Sequence, residues 1–266
     1  MSREIIHFSH ANGFPSLSYK KLFTYLESDY QIGFIDAIGL DANYPVVDNW
    51  PSQVAELIDY INQHYAEPIH AVGHSLGAIL TYLAAAQRPE LFKSITLCEP
   101  PMFNVVKSMG MGLLKKFNML EKVTPGGAVK NRRFQWQNVA QAIEYFKSKA
   151  LFKHFDAEAL EAYVHAGTVE SAEGIRLKID PYIEWQFFNT LPYRFPKLKP
   201  SINLPVALMY GEDTDLYNRF DLAAFKRRAH AQVIKLPGGH LFPLEYPELT
   251  AKAIKEFIAG ISDFPL

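Results

Sequence analysis

The chain has 266 residues, of which 48% are apolar and 21% are charged, and its formal net charge is −1. The balanced charge lacks the basic excess that is typical of nucleic-acid binders, and no apolar run reaches the roughly 18 residues of a membrane span. The single cysteine, Cys98, excludes an internal disulfide. We therefore expect a cytoplasmic protein with one core and a large insertion, without a nucleic-acid partner and without a membrane span.

Short apolar runs alternate with helical patterns over the first hundred residues. The segment that follows Pro51 is an example, because Val54, Leu57 and Ile61 share one helical face. Strands that alternate with helices of this length indicate βαβ units and a parallel sheet covered on both faces. The predicted strands are 4–8, 31–38, 69–73 and 94–98, and the predicted helices are 19–28, 52–65 and 76–87.

The pattern changes after residue 100 and resumes near residue 205. The intervening segment, 101–200, contains helical patterns but no convincing buried strand, and a proline-rich connector at 191–205 ends it. We therefore predict a core formed by 1–100 and 201–266, interrupted by a helical insertion at 101–200. The predicted helices of the insertion are 104–118, 138–150, 157–166 and 181–189. The predicted later elements are strands 205–211 and 231–237 and helices 220–229 and 247–260.

A serine lies between two glycines where the third predicted strand gives way to a helix. The residues are GHSLG, with Gly73 and Gly77 on either side of Ser75. A sharp strand-to-helix turn strains the backbone of its central residue and leaves no room for side chains two positions away. Such a turn holds the serine hydroxyl above the end of the sheet. The backbone N–H of Leu76, at the start of the helix, is a candidate oxyanion donor.

Three stretches of the chain resemble the α/β-hydrolases. They are GHSLG at 73–77, HFSHANGFP at 7–15 and LPGGHLFPLEYPE at 236–248. The resemblance covers nearly the whole chain and implies an α/β-hydrolase fold, with a mostly parallel six-stranded sheet and a helical cap in the insertion. It implies that Ser75 is the nucleophile and His240 its base, and histidine suits this role because its pKa lies near the working pH. A serine nucleophile argues against the dehalogenase and epoxide-hydrolase branches, which use aspartate.

The carboxylate that completes the triad departs from the family pattern. The usual acid follows the fifth core strand, and in GEDTDLY that place is occupied by Thr214. Asp215 is our first choice, because a turn one residue longer brings it to the same point. Glu99, directly after the fourth strand, is the second candidate, since some family members carry their acid there. Asp213 is the third.

The second oxyanion donor is expected in the 10–15 loop. The donor is the backbone N–H of Phe14 if Gly13 matches the family glycine, and that of Asn12 if Ala11 does. The chain has no H-E-x-x-H, no paired cysteines and no glycine-rich phosphate loop, so we expect neither a metal nor another cofactor.

These residues predict a serine hydrolase that cleaves a carboxylic ester or a related carbonyl substrate through an acyl-enzyme. Alternatives within the fold are a thioesterase, a lactonase, a C–C bond hydrolase, an acyltransferase and a haloperoxidase-like enzyme. The alternative from another class is a non-catalytic binding protein. The aromatic run at 181–196 either lines a pocket for an apolar part of a small-molecule substrate or packs the insertion on the core.

Overall fold

A computed structural model describes residues 3–198 and 203–261 and contains a six-stranded sheet in the order β2-β1-β3-β4-β8-β9. All neighbouring strands pair in parallel. The predicted six-stranded parallel sheet is thereby confirmed. Its strands are β1 (Ile5–Ser9), β2 (Gln31–Phe34), β3 (Ile69–His74), β4 (Phe92–Cys98), β8 (Val206–Gly211) and β9 (Gln232–Leu236).

Helices cover both faces of this sheet. Successive side chains of a strand point to opposite faces, so Ala71 and Val72 of β3 enter different hydrophobic cores. The helices α1 and α11 pack with Val72, whereas α2, α3 and α9 pack with Ala71. Their bounds are α1 (Lys20–Leu26), α2 (Pro51–His64), α3 (Leu76–Gln87), α9 (Arg219–Ala229), α10 (Phe242–Glu245) and α11 (Pro247–Ile261).

The insertion lies between β4 and β8 and is mostly helical. Its helices are α4 (Val105–Lys116), α5 (Gly126–Val129), α6 (Val139–Lys147), α7 (Ala157–Gly167) and α8 (Pro181–Asn189). Four of them coincide with the predicted helices within a few residues. Part of the predicted connector, residues 199–202, lies outside the described residues.

The insertion also contains three short, mostly half-buried strands that the sequence analysis did not predict. Three short strands form a separate antiparallel sheet in the order β5-β7-β6, with bounds β5 (Gln135–Trp136), β6 (Thr168–Ser171) and β7 (Gly174–Leu177). Strands of two to four residues are too short for an alternating pattern to emerge from the sequence. In residues 3–198 and 203–261 no helix is long and apolar enough to cross a membrane.

Candidate active site

Ser75 occupies the turn between β3 and α3. Its φ of 52° is in the left-handed region, which costs energy for a residue with a Cβ. The flanking glycines permit the turn by close backbone approach. A Cβ on Gly73 would lie 2.6 Å from the backbone N of Ala78, and a Cβ on Gly77 would overlap the carbonyl of Ser9. The predicted steric role of both glycines therefore matches the packing at this turn.

His240 faces the serine from the loop that follows β9. Its Nε2 lies 3.1 Å from Ser75 Oγ, within hydrogen-bond distance. The opposite ring nitrogen, Nδ1, lies 3.6 Å from Oε1 of Glu99. The glutamate side chain is fully buried, whereas that of His240 is 40% exposed. One imidazole therefore stands between a hydroxyl and a buried carboxylate.

Glu99 is held at the carboxyl end of β4 by groups from the β8 turn. Its Oε2 accepts a hydrogen bond of 3.0 Å from the Gly211 N–H, and its Oε1 accepts one from the Thr214 hydroxyl. Its own N–H donates to the carbonyl of Met209, and its φ is 50°. The place at which the resemblance expects the acid thus carries a threonine that binds a carboxylate from the neighbouring strand.

The structure does not bring our first-choice acid to the histidine. Asp215 and Asp213 are both exposed, and within the described ranges neither forms a hydrogen bond or an ion pair with His240. The turn after β8 brings Thr214, rather than either aspartate, into contact with Glu99. Glu99, the second candidate, is the carboxylate that faces Nδ1. The sequence pointed to this position only through LCEPP, where an acid follows β4 immediately.

Two of the candidate oxyanion donors are not engaged in other hydrogen bonds with the described residues. The N–H of Leu76, at the first position of α3, and that of Asn12 have no acceptor among the residues that the structure describes. The N–H of Phe14 donates to the carbonyl of Ala11 at 3.0 Å and is therefore engaged. Of the two alternatives for the second donor, the turn leaves Asn12 available and occupies Phe14.

A chain of hydrogen bonds through His74 connects the loops that carry these groups. Its Nε2 lies 2.8 Å from the carbonyl of His240, and because a carbonyl can only accept, Nε2 carries the proton. Its Nδ1 therefore accepts from the Tyr19 hydroxyl at 2.7 Å, and that hydroxyl accepts from the Ala11 N–H at 3.3 Å. Burial lowers the pKa of His74 to about 3, which keeps the ring neutral.

A family comparison covers most of the chain. The model of the Alpha/beta hydrolase family matches residues 8–253, which is most of the chain. The chain belongs to the alpha/beta hydrolase family. The hydrolase has no significant match among curated proteins.

Solved structures share the fold of this hydrolase at low identity. E-2-(acetamidomethylene)succinate hydrolase is 20% identical, with a TM-score of 0.74 over 97% of this chain and 92% of that one. A thioesterase domain from the curacin biosynthetic pathway is 19% identical, with a TM-score of 0.71 over 95% and 91%. An esterase from M. tuberculosis is 16% identical, with a TM-score of 0.67 over 97% and 86%. These likenesses support the fold.

The insertion of the hydrolase contacts the 10–15 loop through a buried ion pair. The carboxylate of Glu184, on α8, lies 2.5 Å from the Arg132 guanidinium and packs against the backbone of Gly13. The side-chain amide of Asn12 donates to the Glu184 carbonyl at 2.9 Å. Burial raises the pKa of Glu184 to about 7, and the Arg132 charge opposes that rise. The insertion therefore packs directly on the candidate oxyanion loop.

His10 joins the same loop to the segment that follows β2. Its Nε2 accepts the Ile38 N–H at 2.7 Å, and its Nδ1 donates to the carbonyl of Ala11 at 2.8 Å. The Ser16 N–H also donates to the carbonyl of Asp36 at 2.8 Å. Two of these hydrogen bonds thus join the candidate oxyanion loop and the adjacent Ser16 to the segment after β2, and the third lies within the loop.

The aromatic run at 181–196 divides between packing and exposure. Phe187 is buried against Trp50, with ring centroids 5.5 Å apart, so this ring holds α8 to the core. Tyr182 is 55% exposed and stacks on Trp185. In the described part of the chain, no three His, Cys, Asp or Glu side chains converge as metal ligands would.

Proposed function

We propose that this hydrolase cleaves a carboxylic ester or a related carbonyl substrate through an acyl-enzyme on Ser75. The observation that carries the proposal is the line of three groups: Ser75 Oγ, the His240 ring and the buried Glu99 carboxylate, with separations of 3.1 and 3.6 Å. A hydroxyl beside an imidazole that faces a carboxylate is the arrangement that activates serine in unrelated hydrolases.

In the proposed first step, Ser75 Oγ attacks the substrate carbonyl carbon and His240 Nε2 takes the hydroxyl proton. Glu99 stabilises the imidazolium and orients the ring, so that the proton on Nδ1 faces the carboxylate. His240 then donates its proton to the leaving group, and the acyl group remains on Ser75. Water, deprotonated by the same imidazole, releases the acid and restores the serine.

The tetrahedral intermediate needs donors for its oxyanion. The free N–H groups of Leu76 and Asn12 are our choice, and the N-terminus of α3 adds a positive partial charge. One such donor contributes roughly 3 kcal/mol to transition-state stabilisation in other hydrolases. Because Glu184 and Arg132 pack over the same loop, we assign the insertion the role of a lid that forms the second wall of the substrate pocket.

The proposal is tested by labelling with a fluorophosphonate, followed by intact-mass measurement. We expect one adduct on the wild type and none on Ser75→Ala, whereas the control Ser148→Ala, at an exposed helix end, is labelled normally. Hydrolysis of p-nitrophenyl butyrate is measured in parallel. Folded wild-type protein that gains no adduct would refute an activated Ser75 and favour a non-catalytic binding protein.

A further inference from the structure

A pocket whose wall does not include Ser75 lies between α2 and the segment that follows β2. Its volume is about 360 Å³, which is within the size range of small-molecule sites. Carboxylates and phenol rings dominate its wall, and none of the side chains that line it is basic. The polar lining residues that matter here are Asp36, Asp41, Tyr44, Glu56, Asp59 and Tyr60.

Glu56 is the unusual member of this wall. The residue is only 7% exposed, and its Oε2 has no hydrogen-bond partner among the described residues. Burial raises the pKa of Glu56 to about 7, and the negative charge of Asp41 acts in the same direction. A hydrogen bond from the Gly39 backbone N–H opposes that rise, but Oε2 still lacks a partner among the described residues, and a positively charged ligand at this carboxylate would relieve the cost of its burial.

The other carboxylates of the pocket differ in whether an ion pair or a hydrogen bond offsets their negative charge. Asp36 forms an ion pair with Lys178 at 3.0 Å, and Asp59 accepts a hydrogen bond of 2.8 Å from the Tyr44 hydroxyl. Asp41 accepts only the N–H of Asn43, at 2.8 Å, and has no basic partner in the structure as described. Asp41, on the segment after β2, and Glu56, on α2, therefore leave negative charge on two sides of the pocket.

We propose that this pocket binds a linear organic cation with two or more ammonium groups, of the polyamine class. One ammonium group would neutralise Glu56 and the next would reach Asp41 or Asp59, while the alkyl chain lies against Tyr60. Among the described residues, these carboxylates do not form a group of three that could hold a metal ion. The proposal does not depend on the activity assigned to Ser75.

Binding of an ammonium group at Glu56 should depend on pH. A bound ammonium group favours the ionised carboxylate, so a proton leaves when the ligand binds near neutral pH. Affinity should rise about tenfold from pH 6 to pH 8, because the ionised fraction of a group with a pKa of about 7 rises by that factor. The charged and titratable groups that face Glu56 are Asp36, Asp41, Tyr44, Asp59 and Tyr60, with Lys178 beside Asp36.

The test is calorimetric titration of the whole protein with spermidine and putrescine at pH 6, 7 and 8. We expect saturable binding at one site, at least tenfold weaker in Glu56→Gln and in Asp41→Asn. The control Glu256→Gln removes the same charge from an exposed position on α11 and should bind like the wild type. Glu56→Gln should also lose the pH dependence.

Three outcomes would overturn the proposal. One is that Glu256→Gln weakens binding as much as Glu56→Gln does, which would indicate diffuse attraction of polycations. Another is that MgCl₂ at the same concentration binds with equal affinity, and the third is that no saturable binding occurs. Asp41→Asn keeps the test valid if Glu56→Gln does not fold, because Asp41 is exposed. 1,4-Butanediol, which has the length of putrescine without its charges, should not bind.

Discussion

Replacing Glu99 with glutamine tests which carboxylate serves the histidine. The change removes the negative charge and keeps a side chain of nearly the same shape. The remaining amide oxygen can still accept from Gly211 or Thr214. We expect kcat for p-nitrophenyl butyrate to fall sharply, because the imidazolium that forms during attack loses its counter-charge.

The size of this loss follows from the distance between His240 Nδ1 and Glu99 Oε1, which is 3.6 Å. Two unit charges at that distance interact by about 4.6 kcal/mol at an effective dielectric constant of ~20, and by about half of that at ~40. The second value allows for the 40% exposure of His240. Each ~1.4 kcal/mol is a factor of ten in rate, so the expected loss is roughly 50-fold to 2,000-fold.

The assay compares Glu99→Gln, Asp215→Asn and Asp213→Asn under the same conditions. The two aspartate variants should stay within threefold of the wild type, because both side chains are exposed and neither contacts His240. Circular dichroism and urea unfolding check that each variant is folded. The reasoning is refuted if Asp215→Asn loses more activity than Glu99→Gln, since the acid would then come from the β8 turn.

Three further changes test the packing around the site. Tyr19→Phe leaves the Ala11 N–H and His74 Nδ1 buried without partners, so urea unfolding should show a loss of about 2 to 4 kcal/mol, while the exposed Tyr182→Phe should change little. Gly77→Ala should lower stability by about 3 kcal/mol or prevent folding, because the new methyl group overlaps the carbonyl of Ser9, whereas Gly110→Ala, with no atom within 4 Å, should raise stability slightly. Burial lowers the pKa of His7 to about 3, below its ordinary value of 6.5, so the stability contributed by the neutral ring is present above pH 6.5 and is lost as pH falls toward 3. Below pH 6.5 the free energy of unfolding of the wild type should therefore fall, relative to that of His7→Phe, by about 1.4 kcal/mol per pH unit. Free energies of unfolding that depend on pH equally in the two proteins would contradict this.

The sheet and its flanking helices were predictable because the pattern of apolar residues within each segment indicates a strand or a helix. The β3 segment carries the apolar residues Ile69, Ala71 and Val72, and the helix after Pro51 shows one apolar face, so each element could be recognised from a few neighbouring residues. The three strands of the insertion could not be recognised in this way. Gln135 and Trp136 form a strand only because they pair with Ile175 and Arg176, about forty residues later.

The same distinction applies to the candidate site. The position of Ser75 depends on a turn of five residues, and its glycines indicate that turn directly. The carboxylate depends on which strand end lies beside the loop of His240, and this is a property of the assembled sheet. Because β4 and β8 are neighbours, either of their turns could supply the acid, and local sequence cannot choose between Glu99 and Asp215. Local sequence likewise left open whether Phe14 or Asn12 is the second oxyanion donor. The structure engages the Phe14 N–H in a hydrogen bond to the Ala11 carbonyl, which the sequence does not reveal.

In this site the carboxylate and the groups that hold it come from different strand ends: Glu99 follows β4, and its hydrogen-bond donors lie at and just after the end of β8. Ser75 and Glu99 directly follow the adjacent strands β3 and β4 of one βαβ unit, β3–α3–β4. The turn after β8 contributes a backbone N–H from Gly211 and a hydroxyl from Thr214, and no charge. Gly211 and Thr214 are the constrained positions of this turn, because a Cβ on Gly211 would overlap the carbonyl oxygens of Gly238 and Gly239 and the Thr214 hydroxyl binds Glu99. The exposed Asp213 and Asp215 beside them are therefore the positions of this turn that are open to substitution.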